Sequence, residues 1–550
     1  MARRFYTGGW LVILLLGLSA CAAQKQLETI PTALKAGEGF VIVRIVTNSS
    51  TLDPANIINF NKWEVVKATN SAGEEKSLIL DRSGMHNNSQ IFAASLPAGH
   101  YKLHSIESPT FHKRIISSLI DTKIEFEVKN SQVTSMGTLI YQPTGNSGFM
   151  ILPMFDDKSI LETMKFAYPE IVAATSANPV LFVSKSAIGD PSAAGSNGVY
   201  IGSFSPFENL IAGMISSISD AAGATEAEQA WAKEKDQAAL MRMAKDRTFS
   251  FNDVQELDSG EIIAGSNLGQ ILIRQPNKGW KRLDTGYPVE YTVIDVIDRK
   301  QILAGGEEGV LMYSGDTGKT WQRIKSPVKN ALYLDISHYK NEFLVLSREH
   351  DDLVVNSSTD PKGGNWQELL RIKNIAEQTK YTPRIDSGSA VVHDGKYIVI
   401  SPLAETQVYD LTARVWAKYP LPEAGFFRLR RHADGYIYAM RFRYPYISRD
   451  NGKTWVEHEN ACVRQMDIWY GPKATGYALC FQGAFTVSNS LQKQVDLKSP
   501  WQEIISEIPV LAHKIFVSDK RDFMFYVGVN GLVYVSQDGG SNWKEERRTF

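Results

Sequence analysis

Five side chains between residues 426 and 446 have the chemistry to hold an anion or a sugar. Arg428, Arg430, Arg441, Arg443 and Tyr444 fall in two short groups, Phe426-Phe-Arg428-Leu-Arg430-Arg431 and Arg441-Phe-Arg443-Tyr444-Pro-Tyr446. A guanidinium fork pairs with a carboxylate or phosphate through parallel hydrogen bonds and stacks on aromatic rings. The same residues would also suit a solvated edge, with arginine stems lying over apolar surface. Elsewhere reactive constellations are scarce. The chain holds no H-E-x-x-H, no G-x-S-x-G and no phosphate-binding P-loop, and its histidines are scattered. The acidic pairs Glu307-Glu308 and Asp351-Asp352 are expected in turns between strands, as solvated loop. These residues predict no catalytic group, cofactor or metal site.

Cysteine is rare, with three in 550 residues. Cys462 and Cys480 flank a turn at 470–475 and are expected to face each other across a hairpin. An oxidising compartment would join them, and a reducing one would leave two small buried hydrophobes. Zinc is not expected, because no third and fourth ligand lie nearby. Composition is ordinary for a globular protein of two or three domains, 43% hydrophobic and 22% charged. The formal charge of −1 argues against a nucleic-acid partner.

Something must position these groups, and a repeat in the C-terminal half supplies it. Ser314-Gly-Asp316-Thr-Gly318-Lys-Thr-Trp321, Ser448-Arg-Asp450-Asn-Gly452-Lys-Thr-Trp455 and Ser536-Gln-Asp538-Gly-Gly540-Ser-Asn-Trp543 share the pattern S-x-D-x-G-x-[TN]-W. In a turn the carboxylate accepts N–H bonds, glycine takes positive φ, and tryptophan opens the next strand with a large apolar ring. Tryptophans at 280, 321, 366, 416, 455, 501 and 543 recur at spacings of 39 to 50 residues. Four short strands with their turns occupy about 40–50 residues of a propeller blade. Seven units therefore span 248–550, including runs such as Gln301–Ser314 and Met524–Asp538. Ring closure is left open between a strand donated from before residue 248 and packing of the first blade on the last.

The motif resembles the Asp-box of sialidase-like and sortilin-like β-propellers, within the wider WD40/YVTN-like architecture. That resemblance implies a seven-bladed ring with its Asp-box turns between third and fourth strands. They would lie on the face away from any ligand, with the turn of Arg441, Arg443 and Tyr444 on the opposite face. Sialidases of this type clamp substrate with three arginines and place the first in an Arg-Ile-Pro segment. The corresponding stretch here, Arg247-Thr-Phe-Ser-Phe251, does not match. A carbohydrate-active enzyme with a divergent site is the alternative to a non-catalytic binding protein.

The N-terminal part is read in three pieces. Arg3, Arg4 and the apolar run Trp10–Leu18 make residues 1–20 a signal peptide. Leu18-Ser19-Ala20-Cys21 resembles a bacterial lipobox, which implies acyl chains such as palmitate on Cys21. Ala22 after it implies sorting to the outer membrane, at its periplasmic side or the cell surface. Residues 21–145 read as a small antiparallel β-sandwich, and Ser95-Leu-Pro-Ala-Gly-His-Tyr101 resembles the strand-turn of prealbumin-like domains. Residues 146–247 read as a helical connector, with a helix over Asp157–Thr175 that Pro169 should kink or break and others at 206–222 and 226–245. Overall the sequence predicts a mainly β protein anchored to the membrane by lipid. Its propeller would hold an envelope protein or polysaccharide.

Overall fold

The computed structural model describes residue 30, residues 33–47, 63–81, 89–109, 114–118, 124–143, 148–154, 164–165, 168–175, 181–183 and 200–203, and, apart from short stretches, 251–546. The expected leader, Cys21 and the segment 204–250, with the two helices expected there, lie outside these residues.

The N-terminal unit is one mixed sheet. Its strands are β1 (Glu38–Thr47), β2 (Val65–Asn70), β3 (Glu75–Leu80), β4 (Ser89–Pro97), β5 (Gly99–Pro109), β6 (Arg114–Ser118), β7 (Glu125–Val128), β8 (Val133–Pro143) and β9 (Gly148–Met154). The helix α1 (Pro169–Ala174), β10 (Leu181–Val183) and β11 (Tyr200–Ser203) follow. The hydrogen-bonded order is β11-β9-β8-β1-β4-β3-β2-β5-β6, with β10 on β8 and β7 on β5. Alternation along β1 sends Val41, Val43 and Ile45 to one face. They share a core with Val66, Leu103 and Phe126 from the far end of the sheet, so the sheet curls over itself. Phe40 and Ile42 point the other way, onto Tyr168 and Ile171 at α1.

Two expectations are corrected here. The strands form one continuous eleven-stranded sheet, and β1 and β10 pair with β8 in parallel, so a purely antiparallel sandwich is not what the hydrogen bonds describe. The helical connector is not supported either. Within 146–247 the described residues hold three strands that extend this sheet, the helical pair Met164–Lys165 and a short helix beginning at Pro169. Tyr168 is not helical, so the run expected over Asp157–Thr175 is broken at Pro169 as its proline predicts, and Pro169, at a first turn where the missing N–H loses no hydrogen bond, opens α1.

The propeller is seven consecutive four-stranded antiparallel sheets, spanning 252–284, 291–323, 332–372, 389–420, 426–457, 465–505 and 512–545. First strands of neighbouring sheets lie side by side, so they line the ring's centre. Among the described residues no strand pairs blade 1 with blade 7, and the contacts between these two blades are made by side chains. Phe251, Trp280, Phe516, Phe523 and Phe525 form one cluster across blades 1 and 7. Arg274 grips Glu546 with two bonds of 2.7 Å, and Arg521 bonds Glu256 at 3.0 Å.

Each S-x-D-x-G-x-[TN]-W segment joins a third strand to a fourth. In blade 5, Ser448 Oγ donates to Asp450 Oδ1 (2.9 Å) and accepts from Gly452 N (2.8 Å), while Thr454 donates its N–H and hydroxyl to the same carboxylate (2.9 and 2.6 Å). Blades 2 and 7 repeat this arrangement. Hydrogen bonds from the Asn542 side chain and N–H hold Asp538 down at about 2. The turn glycines have φ of 77°, 81° and 94°, a region that costs a residue with a Cβ. A Cβ on Gly318 would lie 2.7 Å from Leu283 of blade 1, and one on Gly452 would lie 3.0 Å from Ile398 of blade 4. Each turn therefore seats its blade on the one before. Trp455 adds a bond from its indole N–H to Thr406 of blade 4 (3.1 Å).

Candidate functional site at the mouth of the channel

Strand direction sorts the turns onto two ends of the ring. Second-to-third-strand turns and the starts of the innermost strands share one end, and the serine–aspartate turns share the other. At the first end, six of the seven innermost strands carry a bulge in their pairing with the second strand, as between Tyr333 and Asp335 or Gln465 and Asp467. Bulges re-aim side chains. Here they accompany a set of charges along the upper channel. Asp253 and Arg428 hold left-handed φ of 44° and 53°.

The charges are polarised around the ring. Acids come from blades 1 to 3, as Asp253, Asp295 and Asp335. Cations come from blades 5 and 7, as Arg428, Arg430 and Lys514, with Asp467 of blade 6 between them. Asp253 Oδ2 accepts from Ile294 N (2.8 Å) and Asp467 Oδ2 from Ile515 N (3.1 Å), so each carboxylate ties its blade to the next. Asp253 keeps solvent-exposed surface yet is surrounded by protein, and that burial raises it to about 6. Burial, then the nearby Asp253 charge, pushes Asp335 well above the usual carboxylate range, while Ser337 and Tyr397 donate to it at 2.9 and 3.0 Å. The hydrogen bond to Asp295 (2.8 Å) raises His338. Burial, then the Arg428 charge, lowers Lys514 to about 8, and its ammonium donates to Phe251 O at 2.7 Å.

The five arginine and tyrosine positions singled out by sequence separate here. Arg428 faces Asp467 at 3.7 Å. Arg430 stacks on Trp469 of blade 6, 4.5 Å from the ring centroid, and serves the blade interface. Arg441 is paired with Glu423. Tyr444 is exposed on its turn, and Arg443 lies outside the described residues. A disulfide joins Cys462 to Cys480. Cys462 precedes the strand Gln465–Tyr470, and Gln465, not Cys462, is the register partner of Cys480.

Glu307 and Glu308 depart furthest from expectation. Predicted as solvated loop, both are buried, because the N-terminal unit sits on this turn of blade 2. Arg44, on the outward face of β1, reaches Glu308 with Nε (2.9 Å) and Nη2 (2.6 Å). Ser89 donates its N–H (3.0 Å) and hydroxyl (2.7 Å) to Glu307, which also accepts from Glu290 N (3.0 Å). Burial, then the Glu290 charge, lifts Glu307 to about 7. Local sequence carries no trace of this, since the partner arginine is 264 residues away. Blade 3 holds another feature missed. Ser358, Asp360 and Trp366 form an expanded serine–aspartate turn in which Asp360 accepts from Lys362 N and Gly364 N. Trp366 reaches Lys325 O of blade 2 (2.9 Å). The Ser-x-Asp start and the Gly-Asn-Trp end were visible, but one extra residue between them broke the pattern.

Among the described residues no group of three or more His, Cys, Asp or Glu is placed to hold a metal, and no helix is long and apolar enough to cross a membrane. No family model matches the chain, and no curated protein does. Solved propellers are similar to it in fold. Ycf48 from Cyanidioschyzon merolae has 15% identity and a TM-score of 0.41, covering 53% of this chain and 96% of its own. A Ycf48 bound to D1 peptide has 16% identity and a TM-score of 0.36, covering 46% and 80%. A GH74 xyloglucanase from Xanthomonas campestris has 13% identity and a TM-score of 0.42, covering 53% and 52%.

Proposed function

We propose that the chain is a non-catalytic, lipid-anchored protein of the bacterial cell envelope, whose propeller holds a protein or polysaccharide partner. One observation carries the binding role. The N-terminal unit is locked by buried polar bonds onto the same end of the ring where the channel charges open, so two units present one pre-formed face. Propellers often serve as protein-binding scaffolds, although fold alone assigns no activity. The channel carboxylates and cations described above are committed to neighbouring blades, which suits recognition better than turnover. The serine–aspartate turns are taken as Asp-boxes with a structural role, and Cys21 as the acylated residue at the outer membrane.

The test is crosslinking of the tagged full chain in cells, followed by identification of captured molecules. Capture of a defined envelope component, reduced in an Arg428→Ala/Arg441→Ala variant, supports the proposal. Turnover of chromogenic glycosides that is abolished by Asp253→Asn or Asp335→Asn would replace it with the enzyme alternative.

A further inference from the structure

Large apolar side chains that stay exposed are not spread evenly over the molecule. Among the described residues there are six, Val415, Tyr444, Val456, Val463, Val495 and Ile504, and all belong to blades 4 to 6 or to the link between blades 5 and 6. The described residues of the N-terminal unit and of the other four blades have none. One exposed hydrophobe needs no explanation, but six gathered on consecutive blades mark an interaction flank. The N-terminal unit is bonded to blade 2, so in a ring of seven the seam between blades 5 and 6 lies opposite it.

That seam holds a cleft of about 440 Å³ with Ile447, Val456 and Leu497 in its walls. Val456 pairs with Ile447 across the strands, so their side chains share one face. Val456 is 69% exposed, an apolar knob at the edge of an apolar hole, and Val495, two residues from Leu497 on the far wall, is 58% exposed. The lining also carries two cations, Arg449 and Lys498, and two carboxylates, Asp450 and Glu457. A bilayer would favour aromatic residues with lysine and arginine, whereas this flank presents five branched aliphatic side chains and one tyrosine. A strongly charged partner would need one sign, and the cleft has both. A second copy brings knob and hole together, and a twofold axis turns the cations of one copy toward the carboxylates of the other.

We propose that the flank at the seam of blades 5 and 6 is the contact surface of a twofold dimer of this chain. This goes beyond the binding role above. It uses the side of the ring opposite the N-terminal unit, so either reading can fail without the other.

Light scattering of the detergent-solubilised full chain over a dilution series, with the detergent mass subtracted, tests it. Wild type is expected to pass from twice the chain mass to the single mass on dilution. Val456→Asp and Val495→Asp should each weaken the dimer at least about tenfold, the loss that follows when a charge enters an apolar contact at the centre of an interface. Ser71→Asp, on an exposed turn of the N-terminal unit, should leave it unchanged. Val495 lies outside any strand, so its variant tests the contact even where Val456→Asp disturbs the two-residue outer strand. A single chain mass at every concentration, dimerisation as strong as wild type in either valine variant, or an equal loss in Ser71→Asp overturns the proposal.

Discussion

Blades 4 and 5 meet in one way, blades 7 and 1 in another. At the first seam a local turn does the work: Gly452 presses on Ile398 and Trp455 donates to Thr406. At the second there is no serine–aspartate turn. Five aromatic rings and the ion pairs Arg274–Glu546 and Arg521–Glu256 take its place. The contrast shows that a local turn can hold a seam between consecutive blades, whereas at the join distant segments must find each other through packed area. If so, damage at the join should cost more than damage at a turn.

The largest effects are expected at long-range contacts. Phe525→Ala removes the centre of the closing cluster and should destabilise by about 3–5 kcal/mol, the usual range for a buried phenylalanine. Chemical denaturation of variant and wild type measures it, and a loss below that of a turn variant would reverse the contrast. Arg44→Met should cost a similar amount, about 3–5 kcal/mol, because Glu308 stays buried without its partner. Adding Glu308→Leu should recover most of the loss, and failure to do so would mean the ion pair is not what holds the units together.

Smaller effects belong to the turns. Gly452→Ala combines left-handed φ with a contact at 3.0 Å to Ile398 and should cost about 1–3 kcal/mol by thermal melting.

Acid sensitivity sharpens the same comparison with opposite signs. Glu307 is raised to about 7 at the unit junction, so the folded state holds its proton more readily than the unfolded chain. Its contribution is full below the ordinary glutamate range and fades as pH rises through about 7, on the order of 1–3 kcal/mol. Asp538, held at about 2, favours folding above the ordinary aspartate range and loses that contribution as pH falls toward 2. Melts of wild type and Glu307→Gln between pH 5 and pH 8 should differ in slope, and parallel curves would remove Glu307 from the account. Least affected should be Asp450→Ala, at about 1–2 kcal/mol for hydrogen bonds confined to one turn. Its melting temperature checks this, and a loss matching Phe525→Ala would place the turns on a par with the join.

The blades were legible because their signals are local. Tryptophan spacing and three intact motifs each occupy one strand-turn-strand unit, so no distant partner is needed to read them. The closing cluster was not legible, because Phe251 and Phe525 look like ordinary strand residues until the ring brings them together. Residues 148–154, 181–183 and 200–203 were absorbed into a helical connector for the same reason. Their strand character depends on β8 and β9, not on their own spacing. At the candidate site, sequence found Arg428 but grouped it with Arg430 and Arg441, which answer to different neighbours. It passed over the acidic half of the channel, since single aspartates in strands carry no pattern. Glu307 and Glu308 were misjudged because a charged pair in a turn looks wet, and only a unit encoded far upstream makes it dry.

The join has a consequence for biosynthesis. Arg274 must wait for Glu546, 272 residues later, before the ring can shut. A chain emerging from the ribosome therefore carries blade 1 with one flank uncovered until blade 7 has been made, and Phe251 and Trp280 on that flank stay available to chaperones or to neighbouring chains for that interval.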